Sequence, residues 1–309
     1  MASVYKYFSG NLLPIAFSRP GYCGLKCSLP KDYNDPYELF LGADLGLEPE
    51  ALATYRDIIQ DLPQFHTTCF SHSPVVSPMW AHYANNHTGF VLEFDKDFLD
   101  KTYPDAALRD VTYRSEPNPQ IKNFVQMAAV RAKPRDAYHL QHFVMHQAYF
   151  SKYVDWSYEQ ECRLTGLNSY IERVNDVDVL FLPMEGLTSL LIGSRAPKAL
   201  ARASQEVAEE SGLNWYKTNI GKSYPLPFLT NASGRAFVFD EGAIKSADST
   251  CGNCEEPLHL RTGLCPWCNI TEDDDLAAAS RNPYRILDHY GVLEEYLKGA
   301  DDVGQSRKR

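Results

Sequence analysis

The sequence predicts an α+β main domain followed by a small four-cysteine ribbon and a terminal helix. Three observations carry this: period-two runs such as TTCFS and YEQECRL lie among apolar helical stripes; 309 residues exceed the usual single domain; and two Cys-x-x-Cys pairs stand near the C-terminal end.

A hydrophobic content of 44% supports a packed core rather than a disordered chain. The formal charge of −10 argues against broad binding to nucleic acid or anionic lipid, since both depend on clustered Lys and Arg. No apolar run approaches the roughly 20 residues that span a bilayer, and MASVYKYFSG lacks signal-peptide character, so a cytoplasmic protein with no membrane partner is expected.

Taken in order, Tyr5–Phe17 reads as two short strands around a turn at Ser9–Asn11, then a Gly- and Pro-punctuated loop to Pro30. Asp35, Pro36 and Glu38 resemble a capping box opening a helix. Glu48–Asp61 carries a helical stripe of Ala51, Leu52, Tyr55, Ile58 and Ile59. Gln64–Ser71 reads as extended, with Thr67, Cys69 and Ser71 on one face. Ser77-Pro78 opens a short helix over Met79–Asn85, and Phe90–Phe94 is the next strand.

Residues 119–153 read as one or two long helices, interrupted at Lys133–Pro134 because proline removes a donor and restricts its predecessor. His139, His142 and His146 share a helical face there, but no fourth ligand follows at a metal-binding interval. Val177–Leu182 and Ser189–Ile192 read as buried strands, Ala196–Ser211 as a surface helix stopped by Gly212, and Trp215–Lys217 with Ser223–Leu226 as closing strands. This places the main domain at 1–230. The Gly-, Ser- and Asp-rich stretch 231–249 is expected to be a linker.

Phe150–Leu164 is the stretch the rest is expected to serve. Its end alternates Tyr158, Gln160, Cys162 and Leu164 with Glu159, Glu161 and Arg163, so one face packs while the other carries two carboxylates and a guanidinium. Residues two apart on a strand lie roughly 7 Å from each other, close enough for one cleft to use both carboxylates. An amphipathic edge strand with a solvated charged face is the plain alternative.

At 250–272, Cys251-x-x-Cys254 and Cys265-x-x-Cys268 stand ten residues apart. Each pair can form a knuckle, and two knuckles supply the four thiolates that a tetrahedral Zn²⁺ prefers. Four sulfur ligands close the coordination shell, so the zinc is expected to be structural. His259 and Thr262–Gly263 fall near the ribbon tip, and Glu255 and Glu256 with Arg261 suit a protein partner better than nucleic acid. The remaining residues, 273–309, are expected to hold one amphipathic helix over Asn282–Lys298, packing on the body or on a second subunit of a homo-oligomer.

Several blocks line up in order: YKYFS, NDPYE, TTCFSHSP, MWAHYANNHTGFVLEF, FSKYVDWSYEQECRL and LLIGS. Together they resemble the bacterial family called domain of unknown function 2971, over roughly residues 1–226 and outside the ribbon. The layout in turn resembles the ADP-ribosyltransferase superfamily, which implies two small bent sheets flanking a cleft, NAD as substrate and a macromolecular acceptor. By that resemblance TTCFSHS matches the Ser/Thr-rich middle strand through Thr67, Ser71 and Ser73. YEQECRL then matches the carboxylate strand, with Glu161 catalytic and Glu159 orienting the acceptor. Tyr7 or Tyr83 would stack on nicotinamide, and Thr67, Ser71, His82, Tyr83, Lys152, Glu159 and Glu161 would line one pocket. The opening strand offers Tyr5, Lys6 and Tyr7 in place of the Arg or His of that layout.

Three readings follow. One is an NAD-consuming transferase or glycohydrolase acting as a defence or toxin effector. Another is a non-catalytic recognition module whose ribbon binds a partner. A third is a metal-dependent nuclease built on Asp155, Glu159, Glu161 and Lys152.

Overall fold

Strand β1 (Ser3–Phe8) is the axis of the main sheet, and its neighbours explain where a cavity can form. It pairs antiparallel along its whole length with β4 (Phe90–Asp95), but with β3 (Thr67–Ser71) the register is held only at Tyr5↔Ser71. Beyond that point β1 and β3 have no further registered pair, and the sheet forks. The computed structural model describes residues 2–33, 46–258 and 263–306. The capping sequence at Asp35, Pro36 and Glu38, the block NDPYE and the ribbon tip at His259 and Thr262 lie outside them.

The chain divides into two units, Met1–Ala247 and Asp248–Arg309. In the first, β2 (Tyr22–Lys26), β9 (Ile171–Val174) and β10 (Val177–Pro183) form a three-stranded sheet, and β6 (Thr112–Arg114) pairs with β7 (Ser151–Tyr153). The main sheet also takes β5 (Ala107–Asp110), β8 (Glu161–Thr165), β11 (Leu187–Ile192), β12 (Asn214–Asn219), β13 (Phe228–Asn231), β14 (Ala236–Asp240) and β15 (Ala243–Ser246). Its order is β15-β14-β13-β12-β11-β4-β1-β3-β8-β5. Only β11 and β12 are parallel in it, joined by the helix Lys198–Ser211, so the mixed α+β class holds. In place of the two small sheets expected, the described residues form a ten-stranded, a three-stranded and a two-stranded sheet, the first continuous because β1 hydrogen-bonds to strands on both sides.

Each face of the large sheet has its own core. Val4, Phe8, Phe70, Phe94 and Leu164 pack on one side with Leu25, Leu180 and Leu182 of the small sheet. On the other side Tyr5, Tyr7, Val91 and Leu191 pack against Trp80 of the helix Ser77–Tyr83. Burying one such apolar side chain contributes about 1.5–3 kcal/mol. A third cluster joins the helices Pro49–Ile59, Gln120–Arg131 and Pro134–Phe150 through Val125, Leu140 and Val144. The break between the last two falls at Lys133–Pro134, with Ala132 left-handed, as the proline predicts.

Local pattern misleads in several places. Leu13–Ala16 is a helical turn and not a strand, because Pro14 fits its first turn. The loop before Pro30 contains β2, and the expected linker contains the β14–β15 hairpin, turned by Glu241 and Gly242 at positive φ. Ser223–Leu226 is not a strand; β13 follows it. The terminal segment is three helices, Glu272–Arg281, Pro283–His289 and Leu293–Ser306. Asn282 caps the second through Tyr284 N–H at 3.0 Å and Gly291 turns left-handed after it, so one continuous helix cannot form. Among the described residues no helix is long and apolar enough to cross a membrane.

Candidate active site

Glu161 opens β8, but Glu159 does not share its strand. Val154–Glu159 is a 3₁₀ helix, and Gln160 adopts a left-handed conformation at φ 46° between the two elements. The alternation read from YEQECRL therefore begins only at Glu161. The sharp turn nevertheless brings the carboxylates together: Lys152 Nζ donates to Glu159 Oε2 at 2.7 Å and to Glu161 Oε2 at 3.3 Å.

Around this triad the side chains are buried and tied. Arg163 grips Glu161 with a fork, Nε to Oε1 at 2.7 Å and Nη2 to Oε2 at 2.9 Å, and its Nη1 donates to Tyr149 O at 2.9 Å. Tyr83 Oη donates to Glu159 Oε1 at 2.6 Å. Glu161 N–H donates to Tyr113 Oη at 2.7 Å, which fixes the start of β8. Burial lifts the Glu161 carboxyl to about 7, with Lys152 pulling it down and Glu159 pushing it up. For Lys152, burial favours the neutral amine, but the charges of Glu161 and Glu159 outweigh it and raise its pKa.

The triad opens into a cavity of about 530 Å³ at the β1–β3 fork. Thr67, Ser71, Tyr7, Tyr83, Lys152, Glu159 and Glu161 all line it. Ser71 is the cross-strand partner of Glu161, so a hydroxyl and a carboxylate stand side by side on adjacent strands. Both rows of β1 contribute, Tyr5 and Tyr7 from one face and Lys6 and Phe8 from the other, so the cavity passes through the fork.

His82 lies outside the lining; it is exposed, its ring 6.2 Å from that of Tyr158. Ser73 also lies outside, its carbonyl accepting from Tyr7 Oη at 2.8 Å. That bond and the edge contact with Trp80 at 5.4 Å hold the Tyr7 ring in the wall. Thr67 Oγ1 donates to Phe65 O at 3.3 Å and Ser71 Oγ to Ser73 O at 3.2 Å. Asp155 is exposed and is not among the residues that line the cavity. His139, His142 and His146 are exposed along their helix.

Residues 79–164 match the family model described as "Protein of unknown function (DUF2971)". The match supports the family to which the motifs pointed. It is shorter than the motif resemblance, and it takes in Tyr83, Lys152, Glu159 and Glu161 while β1 and β3 stand outside it. No curated protein and no solved structure matches the chain. The matched segment thus supplies the carboxylates of the cavity, and the fork supplies the hydroxyls and Lys6.

Sequence reasoning passed over Arg163, Tyr113 and the wall from β10, Val177, Val179 and Phe181. Arg163 was legible as a charge on the Glu161 row; the β10 wall was not, since it arrives from another sheet.

In the second unit, the sulfurs of Cys251, Cys254, Cys265 and Cys268 all lie within 4.8 Å of one another. The Cys254–Cys265 sulfurs are 3.7 Å apart, close to the edge of a tetrahedron with metal–sulfur bonds of about 2.3 Å. Cys265 N–H donates to Cys251 Sγ at 3.3 Å and Cys268 N–H to Cys265 Sγ at 3.4 Å, which would stabilise thiolates. The cluster fits a metal ion such as zinc. Another trio, His72, Asp110 and Cys162, is also within reach of one ion, but Asp110 already accepts from His72 at 2.7 Å and pairs with Lys96 at 3.6 Å.

Proposed function

We propose that the cavity binds NAD and cleaves its nicotinamide–ribose bond, passing ADP-ribose to a macromolecular acceptor or to water. The observation that carries this reading is the convergence of Glu159 and Glu161 on Lys152 in one cavity with Thr67 and Ser71. Departure of nicotinamide leaves an oxocarbenium-like ribose, and a carboxylate aimed at it stabilises charge that exists only near the transition state. Glu161 takes that role, and Glu159, held by Tyr83, orients the attacking group. An NAD-consuming activity suits an effector in phage defence or a toxin system. We also propose that the four-cysteine cluster holds structural zinc and that its unit docks a protein partner.

The buried fork from Arg163 favours a second reading, a recognition module, because it already neutralises Glu161. The experiment that separates them is incubation of the purified protein with NAD and chromatography of released nicotinamide. Turnover is expected, and Glu161→Gln, which keeps size but removes charge, should lower it by roughly 10²–10³ while NAD still binds. Unchanged turnover in that variant removes the assignment, and no release with any acceptor leaves the recognition module.

A further inference from the structure

The structure assigns a second chemistry to the cavity, apart from dinucleotide cleavage: we propose that Lys6 is a carbonyl-reactive amine that forms an imine with a small apolar aldehyde or ketone.

Lys6 stands where a core residue belongs. It occupies the β1 row of Val4 and Phe8, both buried in the core shared with the small sheet, and its Nζ lies 5.6 Å from the centre of the Phe70 ring. Its hydrogen bond goes to an uncharged group, Cys69 O at 3.0 Å across the fork. Among the described residues no carboxylate oxygen lies within ion-pair distance of it. Lys152, by contrast, is paired with two carboxylates. A lysine in an apolar wall without a counter-ion favours its neutral form, the nucleophile that adds to carbonyls. Burial lowers its pKa, opposed by Cys69, Cys27, Glu161 and Cys23 around it. Its side chain keeps partial solvent access through the cavity, and Ile15, Val177, Val179 and Phe181 make the neighbouring wall apolar.

The step balances without an oxidant or reductant. The Nζ lone pair adds to the carbonyl carbon to form the C–N bond, and a proton passes from nitrogen to oxygen, giving a carbinolamine. Loss of water breaks the C–O bond and leaves the imine.

Reductive trapping tests this on the full chain. The protein is held at neutral pH with limiting benzaldehyde and cyanoborohydride, digested, and each lysine quantified by mass spectrometry. Lys6 should gain the benzyl group at least about tenfold faster than exposed Lys198 and Lys217, because only the free amine adds to the carbonyl. Lys152 should stay unmodified, and Lys6→Met should abolish the fast modification while far-UV circular dichroism remains native. Modification of Lys6 at or below the rate of the exposed lysines, or of Lys152 as fast as Lys6, overturns the proposal; the native protein alone decides this if Lys6→Met fails to fold.

Discussion

Burial and charge pull Glu161 in opposite directions, and their balance has a pH signature. With its carboxyl lifted to about 7, the carboxylate that the proposed chemistry needs appears only as pH rises through that value. Nicotinamide release should therefore climb through about pH 7, an ascending limb that stopped-time assays across pH would show. Stability should run the other way. A folded-state value above the ordinary carboxylate range means the folded chain holds the proton more tightly; the contribution is full below that range and is lost as pH rises through about 7. Urea midpoints should fall across that window in the native protein and flatten in Glu161→Gln; parallel slopes would count against the shift. Arg163 is 1% exposed, and Arg163→Met would remove the fork and leave Lys152 as the cation on Glu161. That substitution should cost about 1–3 kcal/mol in urea unfolding, the range for losing hydrogen bonds to a buried charged group. A loss below about 1 kcal/mol would mean the pair is effectively solvated.

Among the elements, the fork depends on how tightly β1 is held on its other side. Gly89, at the entry to β4, donates to Ala84 O at 2.9 Å and accepts from Gly193 N–H at 2.9 Å. A Cβ at residue 89 would stand 2.0 Å from Phe8 O, a backbone atom that can move only by shifting β1. Gly89→Ala should destabilise by about 1–3 kcal/mol or more, read as a lower thermal midpoint. An unchanged midpoint would show that β1 can yield. Gln160 is the other hinge of the site, since its left-handed φ turns a 3₁₀ helix into β8 and sets Glu159 beside Glu161.

For the whole molecule, two units imply two separable stabilities. The second exposes Trp267, Leu276, Tyr284 and Tyr290, so little apolar burial supports it and the metal cluster should carry its fold. Purified protein should contain one zinc per chain by elemental analysis. Chelation should open residues 248–309 to protease while Met1–Ala247 stays resistant. Protection of both units after complete metal removal would contradict this.

Local pattern alone was sufficient for the helix break at Pro134, the strands at Thr67–Ser71 and Phe90–Asp95, and the clustering of the four cysteines. Each depends on side-chain period, a missing donor or ligand spacing, all properties of neighbours in the chain. The short strands β2, β5 and β6 and the β14–β15 hairpin were invisible there, because such strands draw their stability from partners many residues away. The same holds for the candidate site. Glu159 and Glu161 were legible as a pair, but their approach comes from the turn at Gln160 and from Lys152, not from a shared strand. Lys6 in the row of Val4 and Phe8 was readable as a charge among core residues, yet its bond to Cys69 O exists only where β1 and β3 part beyond Ser71. Registers and forks are pairings between distant segments, and only the folded chain contains them.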